Sequence, residues 1–356
     1  IPILFILLFS ESFQAFAIWT YGVTWFEISM AMFIILVLKR VLWNGVKLRV
    51  SLNPAWFFFF FMILSVFISG LKPLTAGSGD MIVQYFKTTL HFFFLTSFAF
   101  LAAVYPLDSK TWERAVKAWL LVSIAINIFG IYQIMARAFD LPLAWISSHN
   151  VTLLSRGHGT EEEFKQLSLR YEGFFRATSI FPEPSSLAAF NTYILIFTVI
   201  PFVQKTGRFL KSKFLTFTAF FWGILGLFLA FSLTGLVGAS LVIGAAFLFE
   251  KVRHKFRTMM IMLAGAAVLI VGADYFVKSY SNQSVLKLFQ KRIAGIMYFS
   301  TGKKKVTVGE SYGMRRDYAE ESVKIWQDHP AIGIGMGLTS YYRESEIGFA
   351  MYSILA

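Results

Sequence analysis

This sequence predicts an all-α fold: a polytopic integral membrane helical bundle of about ten or more spans. A large helical extracytoplasmic loop precedes the last span. Three observations carry the prediction. The chain is 56% hydrophobic and 18% aromatic, with 41 Phe and only 15% charged residues, against about 25% charged in a soluble domain. Apolar runs such as "FMILSVFISG" and "MLAGAAVLIVGA" lie in segments near the ~20 residues that cross a bilayer. Short basic connections also alternate with short connections nearly free of Lys and Arg, as the positive-inside bias requires.

Five spans, at 1–18, 22–38, 53–70, 81–103 and 115–135, form an N-terminal membrane region, 1–135. A first long extracytoplasmic segment covers 136–183. A central membrane region, 184–276, holds spans at 184–203, 214–231, 235–249 and 258–276. The large basic loop is 277–345, and a tenth span starts at 346–356. Each span is expected to be helical, because unpaired backbone groups cannot face lipid. The basic connections carry Lys39, Arg40, Lys47 and Arg49; Lys110, Arg114 and Lys117; Lys205, Arg208, Lys211 and Lys213; and Lys251, Arg253, Lys255 and Arg257. The opposite connections, 19–21, 71–80 and 232–234, hold only Lys72. This places the N-terminus inside. The chain starts "IPILF" without Met and stops inside an apolar run, so both ends read as incomplete. No cleavable signal peptide is expected.

The net charge of +13 would suggest nucleic acid in a soluble protein; in this setting it fits loops against anionic headgroups. No Cys is present, which excludes disulfides and thiolate chemistry. No nucleotide-cradling Gly-x-x-x-x-Gly-Lys loop occurs, no His/Cys cluster suggests zinc, and no Asp-x-Asp-like pair offers a metal to a nucleotide-sugar.

Both long outer segments are basic. Arginine suits phosphate because its planar fork bonds two oxygens and keeps its charge. Arg170, Arg176, Arg292, Arg315 and Arg316 are therefore candidate contacts to an anionic lipid-linked ligand; the alternative is a headgroup-binding surface. In "RATSIFPEPSSLAAF", Pro184 suits the first position of the sixth span with Glu183 as its cap. Glu183 could instead hold Arg176 or act as a base on a sugar hydroxyl. Glu11, Glu27, Lys87 and His91 fall within spans, where ionisable residues are functional candidates or snorkelling and interhelical partners. "MRRDYAEESVKIWQDHP" reads as an amphipathic helix with Ala319, Val323 and Trp326 on one face. Glu320 and Lys324 are spaced to pair, and Pro330 ends the helix. "GIGMG" then provides Gly333, Gly335 and Gly337 for a tight backbone path.

These motifs resemble the O-antigen ligase and the O-antigen and exopolysaccharide polymerase superfamily. "RATSIFPEPSSLAAF" resembles the segment before a central span, and "FSLTGLVGASLV" its Ser-Arg-Thr-Gly element. "MRRDYAEESVKIWQDHPAIGIGMG" resembles its Arg, amphipathic helix and Pro-x-x-Gly-x-Gly element, and "EIGFAMYSILA" the start of the following span. The resemblance covers roughly residues 176–356. It implies a membrane glycosyltransferase that polymerises undecaprenyl diphosphate-linked repeat units, inverting and independent of metal, with no cofactor. The close alternatives are a ligase acting on a lipid core and a transporter or flippase. Implied partners are the lipid-linked glycan donor, a glycan acceptor, membrane lipid and a chain-length regulator protein, with no nucleic acid. The implied location is the bacterial cytoplasmic membrane, with the active site on its outer face. Arg176 and Arg315 match motif positions, Arg316 is adjacent, and Glu183 sits at the Glu-Pro-Ser position. Leu233 stands where the family often has Arg. The family also has a His shortly before "E-x-G", which this sequence lacks; the abrupt junction at Ser345 and Glu346 favours missing residues there over a member without that His.

Overall fold

The computed structural model describes residues 14–18, 21–49, 54–146, 166, 170–171, 174–204, 212–249, 310–330 and 332–342, with short stretches between 264 and 294. The first correction to the all-α expectation lies at the start. Gln14–Ile18 (β1) and Tyr21–Thr24 (β2) pair antiparallel, with Ile18 opposite Tyr21. The spans expected at 1–18 and 22–38 are therefore strand over 14–18 and 21–24. Aromatic and β-branched residues favour the pleated pairing.

Helix α1 (Trp25–Asn44) follows β2 directly. Thr24 Oγ1 accepts the Glu27 amide at 3.3 Å, and Glu27 Oε2 accepts the Thr24 amide at 2.8 Å. This is a capping box. It satisfies two otherwise orphaned donors at the helix entrance, which explains the burial of Glu27 there. The Thr-x-x-Glu spacing carried this signal.

The other described helices are α2 (Pro54–Ser69), α3 (Leu71–Ala76), α4 (Gly79–Val104), α5 (Ser109–Ala138), α6 (Pro184–Gln204), α7 (Lys213–Leu229), α8 (Leu233–Phe249) and α9 (Glu310–Asp328). Three segments are long and apolar enough to cross a membrane: Trp56–Ala76, Gly79–Val104 and Ser109–Ala138. Shorter apolar helices lie at Pro184–Val199, Lys213–Leu229 and Leu233–Ala245. The expected span at 258–276 is described only in part, and 346–356 lies outside the described residues, as does Glu11.

The chain divides into two compact units. One comprises Ile1–Ser29, Asp108–Ser155 and Gly159–Gly309; the other Met30–Leu107, Arg156–His158 and Glu310–Ala356. In the first unit, α6 packs on α7 and α8, and α5 on α7. Leu120, Ile134, Leu187, Ile194 and Leu229 are fully buried there. A reciprocal amide pair locks the helices: Asn127 Nδ2 donates to Asn191 Oδ1 at 2.9 Å and Asn191 Nδ2 to Asn127 Oδ1 at 2.8 Å. A side chain on Gly226 would collide with the Asn127 amide. In an apolar solvent such a pair is worth about 1 kcal/mol. Gly235 and Gly238 of the "FSLTGLVGASLV" element sit against Ala188 and Thr192, so these small residues let α8 approach α6.

In the second unit, Gly70 lies under the Tyr85 ring. The Gly70 amide bonds Phe67 O at 3.1 Å, so Val66 O loses its usual helical donor. Tyr85 Oη, at 2.7 Å, and Ser69 Oγ, at 2.9 Å, donate to it instead. The two ends of α4 have different company. At its C-terminal end, the Arg49 amide bonds Val104 O at 2.8 Å and Arg40 Nη1 donates to Tyr105 Oη at 2.9 Å. Towards its N-terminal end, Ile334 and Leu338 pack with Tyr85 and Met81. The basic connection 39–49 and the loop after α9 are thus at opposite ends of a 26-residue helix, about 39 Å long. The exposed faces of α2, including Phe57, Phe58, Phe60, Phe61 and Phe67, suit a hydrocarbon solvent.

Candidate functional site

The site is built where α5 ends and α6 begins. After α5 the chain turns through Asp140 and Leu143, both with positive φ. A two-residue antiparallel pairing follows, β3 (Arg170–Tyr171) with β4 (Phe174–Phe175), in which Arg170 is opposite Phe175. Residues 176–183 then lead into α6, whose first residue is Pro184. The Ser186 amide bonds Glu183 O at 3.1 Å, so Glu183 caps the helix as its position before Pro184 predicts. Glu183 Oε2 accepts the Ser185 hydroxyl at 2.7 Å.

Arg176 lies inside the protein, 5% exposed. Its Nε donates to Ala230 O at 3.1 Å and its Nη2 to Phe231 O at 3.1 Å. The Ala177 amide bonds Leu229 O at 3.0 Å. Three consecutive carbonyls at the end of α7 thus receive donors from residues 176 and 177. Helix C-termini leave such carbonyls unpaired and favour a cation there. Phe231, at φ 51°, adopts a left-handed conformation that costs about 1–2 kcal/mol outside glycine. Phe289 packs on it at 4.1 Å between ring centroids.

Arg137, in the last turn of α5, is 3% exposed. Its Nε donates to Ala144 O at 2.9 Å, Nη1 to Arg176 O at 2.7 Å, and Nη2 to Gln166 Oε1 at 2.6 Å and Thr178 Oγ1 at 2.7 Å. These partners are all neutral. Burying a charge is tolerated when its hydrogen bonds are satisfied, and among the described residues no carboxylate is in hydrogen-bond contact with this one.

Beside it opens a cleft of about 630 Å³ lined by Arg137, Ala138, Asp140, Trp145, Gln166, Arg170 and Phe175. Cations and rings alternate along it. The Arg137 guanidinium lies 5.3 Å from the Trp145 ring centre, Trp145 meets Phe175 edge-on at 6.1 Å, and Arg170 lies 4.5 Å over Phe175. Such cation–ring contacts hold guanidinium planes in place. Two guanidiniums against the Asp140 carboxylate leave the described lining net positive. Ring faces beside hydrogen-bonding cations suit an anionic ligand that also carries sugar rings.

Of the candidate residues, the structure brings Arg170 to this cleft and Arg176 and Glu183 to the segment behind it. Arg292 lies outside the described residues, as does the expected His position before Glu346. Arg315 and Arg316 are on α9, in the other unit; their side chains are not among those described. Lys87 and His91 are half-buried on α4. Arg137, Trp145, Gln166 and Phe175 were not singled out as site residues by the sequence; the only local cue was a cation in the last turn of a helix. Comparison with protein-family models, curated proteins and solved structures finds no match.

Proposed function

We propose that this chain is a membrane glycosyltransferase that polymerises undecaprenyl diphosphate-linked oligosaccharide repeats, as an O-antigen or exopolysaccharide polymerase does, at the outer face of a bacterial cytoplasmic membrane. The observation that carries the reading is the cationic, ring-lined cleft at Arg137, Trp145, Phe175 and Arg170, next to the Arg-to-Glu-Pro-Ser segment and joined to apolar helices. Arg170, with Arg292 from the large loop, neutralises the lipid diphosphate; Arg315 and Arg316 of α9 are further candidate contacts to an anionic ligand of the same kind. An acceptor sugar hydroxyl attacks C1 of the donor sugar as the bond from C1 to the diphosphate oxygen breaks, and the configuration inverts. Undecaprenyl diphosphate leaves with the bonding pair, and Glu183 takes the hydroxyl proton. Preorganised cations lower the barrier by meeting charge as it grows on the leaving group. Arg176 acts as a positioning residue through the turn it holds.

The test is transfer in proteoliposomes supplied with lipid-linked repeats. Ladder products support a polymerase; a single transfer to a lipid core assigns a ligase. Arg170→Ala and Arg315→Ala should each lower the rate about 10–100-fold, from the loss of a charged hydrogen bond. Glu183→Gln should lower kcat about 100-fold or more if Glu183 is the base. Unpolymerised repeats should still reach the outer leaflet in cells with these variants; their accumulation on the inner leaflet would replace the enzyme by a transporter.

A further inference from the structure

The spacing of Ala319, Val323 and Trp326 marks an apolar stripe on α9, and the usual expectation is that such a stripe packs inward. The structure turns it outward. Val323 is 51% and Trp326 63% exposed, while Ile325, on another face, packs with Ile334, Leu338, Met336 and Tyr342. Glu320, Lys324 and Gln327 are also exposed, so polar residues border the stripe along one side.

The position of this stripe is set by the loop that follows. Gly335 and Gly337 have φ of 101° and 78° and pack on Pro73 and Thr88. Ile334 and Leu338 join Tyr85 and Met81. These contacts fasten α9 beside the first turns of α4, at the end away from Arg49 and Val104. Further exposed apolar side chains belong to the same contact region: Leu71 and Leu74 on α3, which adjoins α4, and Ile332 and Tyr341 on the loop. Tryptophan and tyrosine favour the boundary between hydrocarbon and headgroups, where one part of the ring system is apolar and the other wet.

We propose that α9 lies in the membrane interface, with Val323 and Trp326 inserted at headgroup level and Leu71, Leu74, Ile332 and Tyr341 continuing the same apolar collar. Lipid is the occupant because the collar adjoins the end of a membrane-spanning helix whose neighbours already present apolar faces outward. Helix α9 carries Glu310, Asp317, Glu320, Glu321 and Asp328 against Arg315, Arg316 and Lys324, so insertion depends on apolar and aromatic contact and not on anionic headgroups. This placement rests on the membrane spans and is independent of the transfer reaction.

The chain contains no cysteine, so single-site spin labelling needs no background substitutions. Val323→Cys, Lys324→Cys, Trp326→Cys, Gln327→Cys and Leu74→Cys would be labelled in the full chain and reconstituted in neutral phosphatidylcholine vesicles. Monodisperse elution before reconstitution establishes folding of each variant. Labels at 323, 326 and 74 should be reached by oxygen severalfold more than by a water-soluble nickel chelate, with the opposite ranking at 324 and 327. Preference for the nickel chelate at all five positions would overturn the proposal. So would labels at 323 and 326 shielded from both reagents, which would assign the stripe to a protein partner.

Discussion

At the α7–α8 turn, irregular backbone is held by a buried cation; at Gly335 and Gly337 it is held by glycines pressed against helices. Arg176 donates to the carbonyls of Ala230 and Phe231, and Phe231 keeps a positive φ without being glycine. In the loop after α9, Gly333, Gly335 and Gly337 have φ of 71°, 101° and 78°. There the absence of a side chain both permits the conformation and admits Thr88 and Pro73. The first device supplies missing donors and depends on one guanidinium. The second supplies close packing and spreads its dependence over several positions. Charged donors therefore mark helix ends that must be closed inside the protein, and glycines mark backbone that must come close to a helix.

Substitutions can break this contrast in graded steps. Arg176→Met should have the largest effect, at least about 3 kcal/mol of stability, because two carbonyls lose charged donors. Detergent-titrated unfolding of the purified protein measures it; a loss below about 1 kcal/mol would show that the turn stands without the cation. Gly337→Ala should cost roughly 2–4 kcal/mol, combining a left-handed alanine with overpacking against Thr88. Gly333 has open space where a side chain would go, so Gly333→Ala should cost only about 1–2 kcal/mol, the conformational part alone. Equal losses at 333 and 337 would remove packing from the explanation.

The smallest effect belongs to an exposed helix cap. Asp108 Oδ2 accepts the Thr111 amide at 3.0 Å, and hydrogen bonds from the side chain and backbone of Thr111 hold its carboxyl below the usual carboxylate range. A lowered folded value contributes stability above the unfolded value and loses it as pH falls through the folded value. Thermal midpoints stepped down through the acidic range should show a small decline that Asp108→Asn removes.

Much of the helical layout was legible because it depends on local chemistry. Apolar runs placed α2, α4 and α5 close to the expected spans, and Pro184 marked the start of α6. Glu27 was open to a membrane-depth reading, although Thr24-x-x-Glu27 already spelled a cap; the error lay in starting the helix three residues early. The hairpin at 14–24 was missed because the four apolar residues 15–18 look alike in a strand and in the end of a helix. The amphipathic stripe on α9 was legible, but its direction was not, since periodicity says which residues share a face and not what covers it.

The sequence by itself determined an apolar, helix-rich chain with its cations sorted between connections, because composition and residue spacing act over one or two helical turns. Only the tertiary structure decided that Arg176 turns inward and Arg170 lines the cleft. The carbonyls that Arg176 serves are 54 and 55 positions away, and Arg137 reaches partners 29, 39 and 41 positions away. Whether an arginine binds a ligand or its own chain depends on which unpaired oxygens folding brings within about 3 Å of it, and no local pattern encodes that.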